Sequence, residues 1–198
     1  ALSTVAVTII VGRVLSIADF GTFSLIRSVA STSIPMVTVC GGIYLVAKIP
    51  KHPSPAQLVS ALMVALGVLS VYVILIYVFG LDKFGENFGV LKDQYLLPCL
   101  LIVAGLCCLR LTEGYFRGHG EIIYANLVKG VLSPFIIIVC AAAAYFGESL
   151  IYVLHFWSMA SIAPILILLI LVGKNIHSGV SQRELITTTK DLIRWGGP

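Results

Sequence analysis

Long, uninterrupted apolar runs constrain this chain more than any other feature. Five of them cover roughly Thr22–Ala47, Ala56–Phe79, Asp93–Phe116, Ile122–Phe146 and Ser149–Val172. A helix of about 20 residues rises about 30 Å, the thickness of a bilayer's hydrocarbon core. A sixth run, Ala1–Val14, is shorter and reaches only about 21 Å at the helical rise. The chain also starts on Ala rather than Met. The sequence therefore leads us to expect a piece that begins inside its first helix. A signal peptide is disfavoured there, because no basic stretch precedes the run and Gly12-Arg13 leads straight into the next one. Composition supports the same reading. Hydrophobic residues make up 59% and charged residues 11% of the chain, against about 25% charged in soluble domains. That excludes a soluble enzyme, a disordered tail and a nucleic-acid-binding domain. The runs do not alternate, which excludes a membrane β-barrel. The predicted fold is all-α: a polytopic bundle of six transmembrane helices, about 1–14, 22–47, 56–79, 93–116, 122–146 and 149–172, followed by an amphipathic helix.

Helix punctuation agrees with these limits. Ser54-Pro55-Ala56-Gln57 reads as a capping box with Pro at the first helical position. Gly118-His119-Gly120, and Gly80 with Gly85 and Gly89, mark loops, and Tyr145-Phe146-Gly147-Glu148 marks a tight turn. In the 173–198 connection, Ser181-Gln182-Arg183-Glu184 is a second capping box. Behind it Leu185, Ile186, Thr189, Leu192 and Ile193 share one helical face, ending at Trp195. This predicts a surface-lying helix on the way to a missing second half.

Lys and Arg set the orientation. Of the 13 in the chain, nine lie on the second, fourth and sixth connections and nearby helix ends, and four (Arg13, Arg27, Lys83 and Lys92) on the others. The even connections, and with them the N-terminus, are expected on the cytoplasmic side. The five cysteines lie in apolar runs without metal-ligand spacing and read as small hydrophobes. No metal or cofactor is expected, nor any catalytic motif.

Two helices carry polar stripes. Ser24, Arg27, Ser28, Ser31, Thr38 and Gly42 recur near a period of 3.5, with Pro35 beside them. Asn126, Lys129, Gly130 and Ser133 repeat at helical spacing before Pro134. A charge at mid-helix costs about 2.5–3.5 kcal/mol on insertion scales, so it commonly faces a cavity or partner. Arg27 and Lys129 are candidate cavity cations on that reasoning. Snorkelling of Arg27 to the interface, and an interfacial anchor role for Lys129, are the alternatives. Arg110, Glu113 and Arg117 fall on one face and read as a self-neutralised helix end. His155 is a candidate proton relay, with Tyr152, Phe156 and Trp157 as interface anchors.

Three stretches carry a family resemblance. Gly12-Arg13-Val14-Leu15-Ser16-Ile17-Ala18-Asp19-Phe20-Gly21-Thr22-Phe23-Ser24-Leu25 resembles the first-to-second helix junction of bacterial polysaccharide flippases. Glu113-Gly114-Tyr115-Phe116-Arg117-Gly118-His119-Gly120, with Asn126 following, resembles their fourth-to-fifth connection. Arg194-Trp195-Gly196-Gly197-Pro198 is similar to the entry of their seventh helix. The resemblance implies one lobe of the two-lobed multidrug/oligosaccharidyl-lipid/polysaccharide exporter fold. It implies movement of undecaprenyl-diphosphate-linked oligosaccharide (an O-antigen, capsule or exopolysaccharide unit) across the bacterial inner membrane. It also implies a cationic cavity, into which Arg27 and Lys129 fit best, with Ser24, Ser28, Ser31, Asn126 and Ser133 around them. Expected partners are the lipid-linked substrate, membrane lipids and a polysaccharide polymerase, with no nucleic acid. Prolines 35, 134 and 164 are expected to let helices bend. A small-solute or multidrug antiporter of the same fold, or a non-transporting subunit of a polysaccharide assembly system, is the alternative; an intramembrane carboxylate for cation coupling would favour the antiporter, and the sequence shows none.

Overall fold

The computed structural model describes residues 2–78, 93–147, 149–177 and 179–196. The expected outer loop from Gly80 to Lys92, Glu148 and the last two residues lie outside them. Every element among the described residues is helical, as hydrocarbon demands, since only a helix satisfies its own backbone within one segment. The order is α1 Leu2–Val14, α2 Ile17–Thr38, α3 Gly41–Lys48, α4 Ala56–Val78 and α5 Asp93–Gly118. Then come α6 Ile122–Leu127, a π-helical turn Val128–Leu132, α7 Ser133–Gly147, α8 Leu150–Ala160, α9 Ile162–His177 and α10 Gln182–Gly196.

The first junction is a tight corner. Ser16 caps α2 by accepting a hydrogen bond from the Asp19 backbone at 3.2 Å, which satisfies one orphan donor of the first turn. A side chain on Gly12 would meet the Phe20 ring at 3.2 Å, so the aromatic folds back over the end of α1.

Three helices are long and apolar enough to cross a membrane singly: Ala56–Ile74, Tyr95–Gly118 and Leu150–His177. The run expected as one helix over 22–47 is instead a bent pair. It starts at Ile17, breaks after Thr38 and resumes at Gly41, turned by 46°. Counted as one span, the pair makes a fourth. The break has a chemical cause. Pro35 supplies no N–H, and Gly41-Gly42 is a poor helix former. Between them Val39 and Cys40 adopt φ of +46° and +56°, a left-handed conformation unusual for any residue with a Cβ and most of all for a β-branched one. The run over 122–146 is interrupted by the π-helical turn. Pro134 follows it and leaves the Gly130 carbonyl without its usual donor. At Ser161, three residues before Pro164, the helix pauses for one residue, but its N–H still reaches the Trp157 carbonyl at 3.0 Å. Pro98 lies inside α5 without breaking it.

Helix α5 is the centre of the packing, touching α2, α3, α4, α6, α8 and α9. Two glycines make the closest crossings. A Cβ on Gly114 would collide with the Gly42 backbone, meeting its Cα at 2.8 Å. One on Gly105 would meet the Ser161 Cβ at 2.5 Å. The core includes Ile102, Leu111, Tyr44, Leu154 and Leu168, while Met36, Ile138 and Phe146 stay exposed, as a lipid-facing surface requires.

The two expected capping boxes form differently from the two-way motif. Ser54 accepts from the Ala56 backbone at 3.1 Å, but Gln57 Nε2 donates to the His52 carbonyl at 2.8 Å. Glu184 accepts from the Ser54 hydroxyl at 2.6 Å, so the two helix starts are tied together. The apolar face of α10 is divided. Leu192 is fully buried and Leu185 packs on the core, whereas Ile186 and Ile193 face outward. Trp195 stands edge-on to Tyr44 at 6.0 Å.

Candidate functional site

The strongest concentration of charge lies at the C-terminal end of α5. Arg110, Glu113 and Arg117 fall on one face of that helix because their spacing follows its turns. Gly120, at φ +75°, then reverses the chain so that α6 runs back beside α5. This return brings Lys129, on the π-helical turn, to the same carboxylate. Arg117 Nη2 lies 2.8 Å and Lys129 Nζ 3.7 Å from Glu113 Oε1, and Arg110 Nη1 lies 3.3 Å from Oε2.

The burial is unequal. The Glu113 side chain is 10% exposed, whereas Arg110, Lys129 and Arg117 are 57%, 59% and 44% exposed. Two carboxylate oxygens serve three cations, which leaves the cluster a formal charge of +2, and its members Arg110, Glu113 and Arg117 face open space. That space is a cavity of about 600 Å³, in the range of ligand pockets. Ser31, Pro35 and Thr38 of α2 line one wall, Cys40 and Gly42 lie at the bend, and Arg110, Glu113, Gly114 and Arg117 line the opposite wall. The broken helix and the charge cluster therefore face one another. Such an arrangement can hold an anion, since guanidinium forks and an ammonium offer charge-assisted donors.

The candidate residues read from the sequence distribute unevenly. Ser31 lines the cavity, its hydroxyl donating to the Ser28 carbonyl at 2.9 Å. Lys129 reaches the cavity's carboxylate. Arg27 sits one turn before Ser31, half-buried, and its Nη1 donates to Thr8 Oγ1 of α1 at 2.8 Å. Arg27 and Lys129 thus engage different neighbours. Ser24 is half-buried, while Ser28, Asn126 and His155 are exposed. The side chain of Ser133 lies outside the described ones. Glu113 pairs with both Arg110 and Arg117 as their spacing implied, but with Lys129 as an added member the helix end keeps a positive surplus instead of neutralising itself. Intrahelical spacing showed the first three residues, but nothing in a linear pattern announces a contact made across the turn. Among the described residues no group of three or more His, Cys, Asp or Glu could hold a metal ion.

Comparison with known proteins bears on this assembly. Neither the comparison with curated proteins nor that with solved structures gives a match. The chain does match a family described as polysaccharide biosynthesis protein, over residues 2–198. Apolar spans, bent helices and a charged cavity fit a multi-pass membrane protein working in polysaccharide-related transport. The chain belongs to the polysaccharide biosynthesis protein family, that of the polysaccharide and O-antigen flippases.

Proposed function

We propose that the protein carries a lipid-diphosphate-linked oligosaccharide from the cytoplasmic to the outer leaflet of the bacterial inner membrane, by alternating access. The observation that carries this reading is the surplus positive charge of the Arg110, Glu113, Arg117 and Lys129 cluster, of which Arg110, Glu113 and Arg117 line the cavity and Lys129 lies against the Glu113 carboxylate. A diphosphate cannot enter hydrocarbon unaided, because an unpaired charge there is prohibitive. The cluster, with Ser31 and Thr38 opposite, would replace the hydration of the head group while the polyprenyl tail stays in lipid. The excess of Lys and Arg on the even connections supports a cytoplasmic position for this cluster, where such a substrate would enter. Arg27, with Ser24 and Ser28 on the same stripe, would be a second station, and Asn126 and Ser133 would flank Lys129. His155 would serve as a proton relay. No chemistry on the substrate is part of this reading, and a polysaccharide polymerase would take up the product.

A second reading has one observation in its favour. The Glu113 carboxylate is buried, and a small-solute antiporter of this fold would use such a group to bind its coupling cation. Its three basic neighbours oppose cation binding and favour the anion reading. The test is complementation of a flippase-deficient strain with the full-length gene. Arg117→Ala and Lys129→Ala should each reduce surface polysaccharide at least about fivefold, with membrane abundance within about twofold. Lys83→Ala should do little. Normal polymer in both cluster variants would overturn the anion-carrier reading.

A further inference from the structure

Glu113 has a feature that an anion site does not need. A pocket built only to receive a diphosphate gains nothing from a resident carboxylate, because the two anions compete for the same donors. Yet the carboxylate is the most buried member of the cluster and touches all three bases. The contacts are also of two kinds. Arg117 holds Oε1 at 2.8 Å, within the range of a strong charge-assisted bond of about 2.7–2.9 Å. Arg110 at 3.3 Å and Lys129 at 3.7 Å are longer than that. One carboxylate under-serves three cations, and the two loosely held ones are the most exposed.

The backbone around the cluster is irregular on both sides. Lys129 stands on a π-helical turn, a local irregularity found often at functional sites. Across the cavity Val39 and Cys40 hold left-handed conformations, which persist only where surrounding structure enforces them. The backbone is therefore irregular on both walls that meet at Glu113.

We propose that Glu113 is a displaceable internal counter-ion: it occupies the cationic site between substrates and yields Arg110 and Lys129 to an incoming diphosphate while keeping its bond to Arg117. This inference rests on the anion-carrier reading above and adds how the site is emptied. Binding exchanges one carboxylate charge for the larger charge of a diphosphate, so the exchange runs forward when substrate arrives. Release is assisted because the carboxylate returns to the same donors. Without a resident anion the three cations would hold a diphosphate too well, and turnover would fall. Glu113 acts here as a positioning residue, through the bases rather than on the substrate.

The experiment uses inorganic pyrophosphate as the probe, binding to purified full-length protein in detergent by calorimetry, alongside surface polysaccharide in the complemented strain. Glu113→Gln keeps the shape and removes the competing charge. It should bind pyrophosphate about tenfold more tightly and yet export several-fold less polymer. A merely structural role would lower both. Glu113→Asp, which keeps the charge but draws it back by one methylene, should bind only about two- to threefold more tightly and retain most export. It also serves as the test should the Gln variant fail to accumulate. Arg110→Gln should weaken pyrophosphate in either background. Unchanged or weaker pyrophosphate binding in both Glu113 variants, with wild-type binding intact and lost in Arg110→Gln, would overturn the counter-ion inference and leave the anion-carrier reading standing. Absence of pyrophosphate binding in the wild type and every variant would overturn both.

Discussion

Arg27 and Glu113 are both charged groups inside apolar helices, and the bundle accommodates them in different ways. Arg27 on α2 is half-buried and gives one N–H to a neutral hydroxyl, Thr8 of α1, at 2.8 Å. Glu113 on α5 is almost wholly buried and meets three opposite charges. A hydroxyl relieves hydrogen-bonding demand but cancels no charge, so Arg27 keeps its full field along α2. The cluster cancels part of its charge and keeps a surplus of the opposite sign to its buried member. The difference separates two uses of a membrane charge. One is a cation that, among the described residues, meets a neutral hydroxyl, and the other is a network whose members restrain one another. Networks of this kind are strongly coupled, and removal of one partner strands the rest.

The sharpest way to break the comparison is Glu113→Ala. Breaking a fully buried pair costs about 3–5 kcal/mol, and the half-exposed bases here reduce that to about 2 kcal/mol by solvent screening. The detergent-solubilised protein should melt several degrees lower. Adding Arg117→Gln should recover part of the loss, because one stranded cation is removed with it. If Glu113→Ala melts like wild type, the cluster restrains nothing and the contrast with Arg27 disappears.

A smaller effect is expected from Gly114→Ala. The added methyl would collide with the Gly42 backbone, so α3 and α5 must separate at the bend beside the cluster. Overpacking of this sort costs about 1–3 kcal/mol. Gly130→Ala, on the π-helical turn beside Lys129, meets nothing within 4 Å and should be near neutral. Helix propensity favours Ala at both positions, so equal losses at both would mean that the close crossing does not set the response.

What the sequence revealed follows the range over which each feature acts. Apolar runs are local, and each one found here carries helix. Prolines are local too, and three of them lie beside an interruption: Pro35 before the bend, Pro134 after the π-helical turn and Pro164 after the pause at Ser161. Pro98 shows the limit of that rule, since it lies within an unbroken α5. The exact place of the bend was not legible, because it falls on Val39 and Cys40, residues with no preference for a left-handed backbone. Packing of Gly42 against Gly114 helps fix it, and such a crossing joins residues distant in sequence. The site shows the same division. Arg110, Glu113 and Arg117 were readable from one helix, but Lys129 depends on the turn at Gly120 and joins them only in three dimensions. Arg27 stood out as a charge on a polar stripe, yet its partner Thr8 belongs to a helix whose register no pattern specified.

The Arg27 arm predicts a moderate effect with its own signature. Arg27→Ala loses a charge-assisted bond of about 1.5–3 kcal/mol at most, less what half-exposure returns to solvent. Stability should fall by about 1 kcal/mol, whereas polysaccharide export should fall more if Arg27 is a station for the head group. Arg27→Lys should keep part of the export, since the charge survives without the guanidinium fork. Thr8→Ser, which keeps the acceptor, should sit near wild type, and Thr8→Val between wild type and Arg27→Ala. Export unaffected in Arg27→Ala, with protein levels checked by immunoblot, would leave snorkelling as the better account of this residue.

The smallest effect is expected where charge meets charge in the open. Lys48, at the end of α3, lies 3.1 Å from Asp191 of α10, and the two side chains are 34% and 56% exposed. Pairs like this are worth about 0–1 kcal/mol, because solvent screens them and two long side chains lose freedom. The helix has other means of attachment: Leu192 is fully buried and Trp195 packs edge-on against Tyr44. Lys48→Ala should therefore leave the melting temperature within about a degree or two, and raising the salt concentration should not add to the change. This variant calibrates the other two arms. A loss as large as that of Arg27→Ala would show that α10 is held by its ion pair rather than by its apolar face. The distinction between Arg27 and the networked charges would then have to be drawn by position along the membrane normal instead of by the kind of partner.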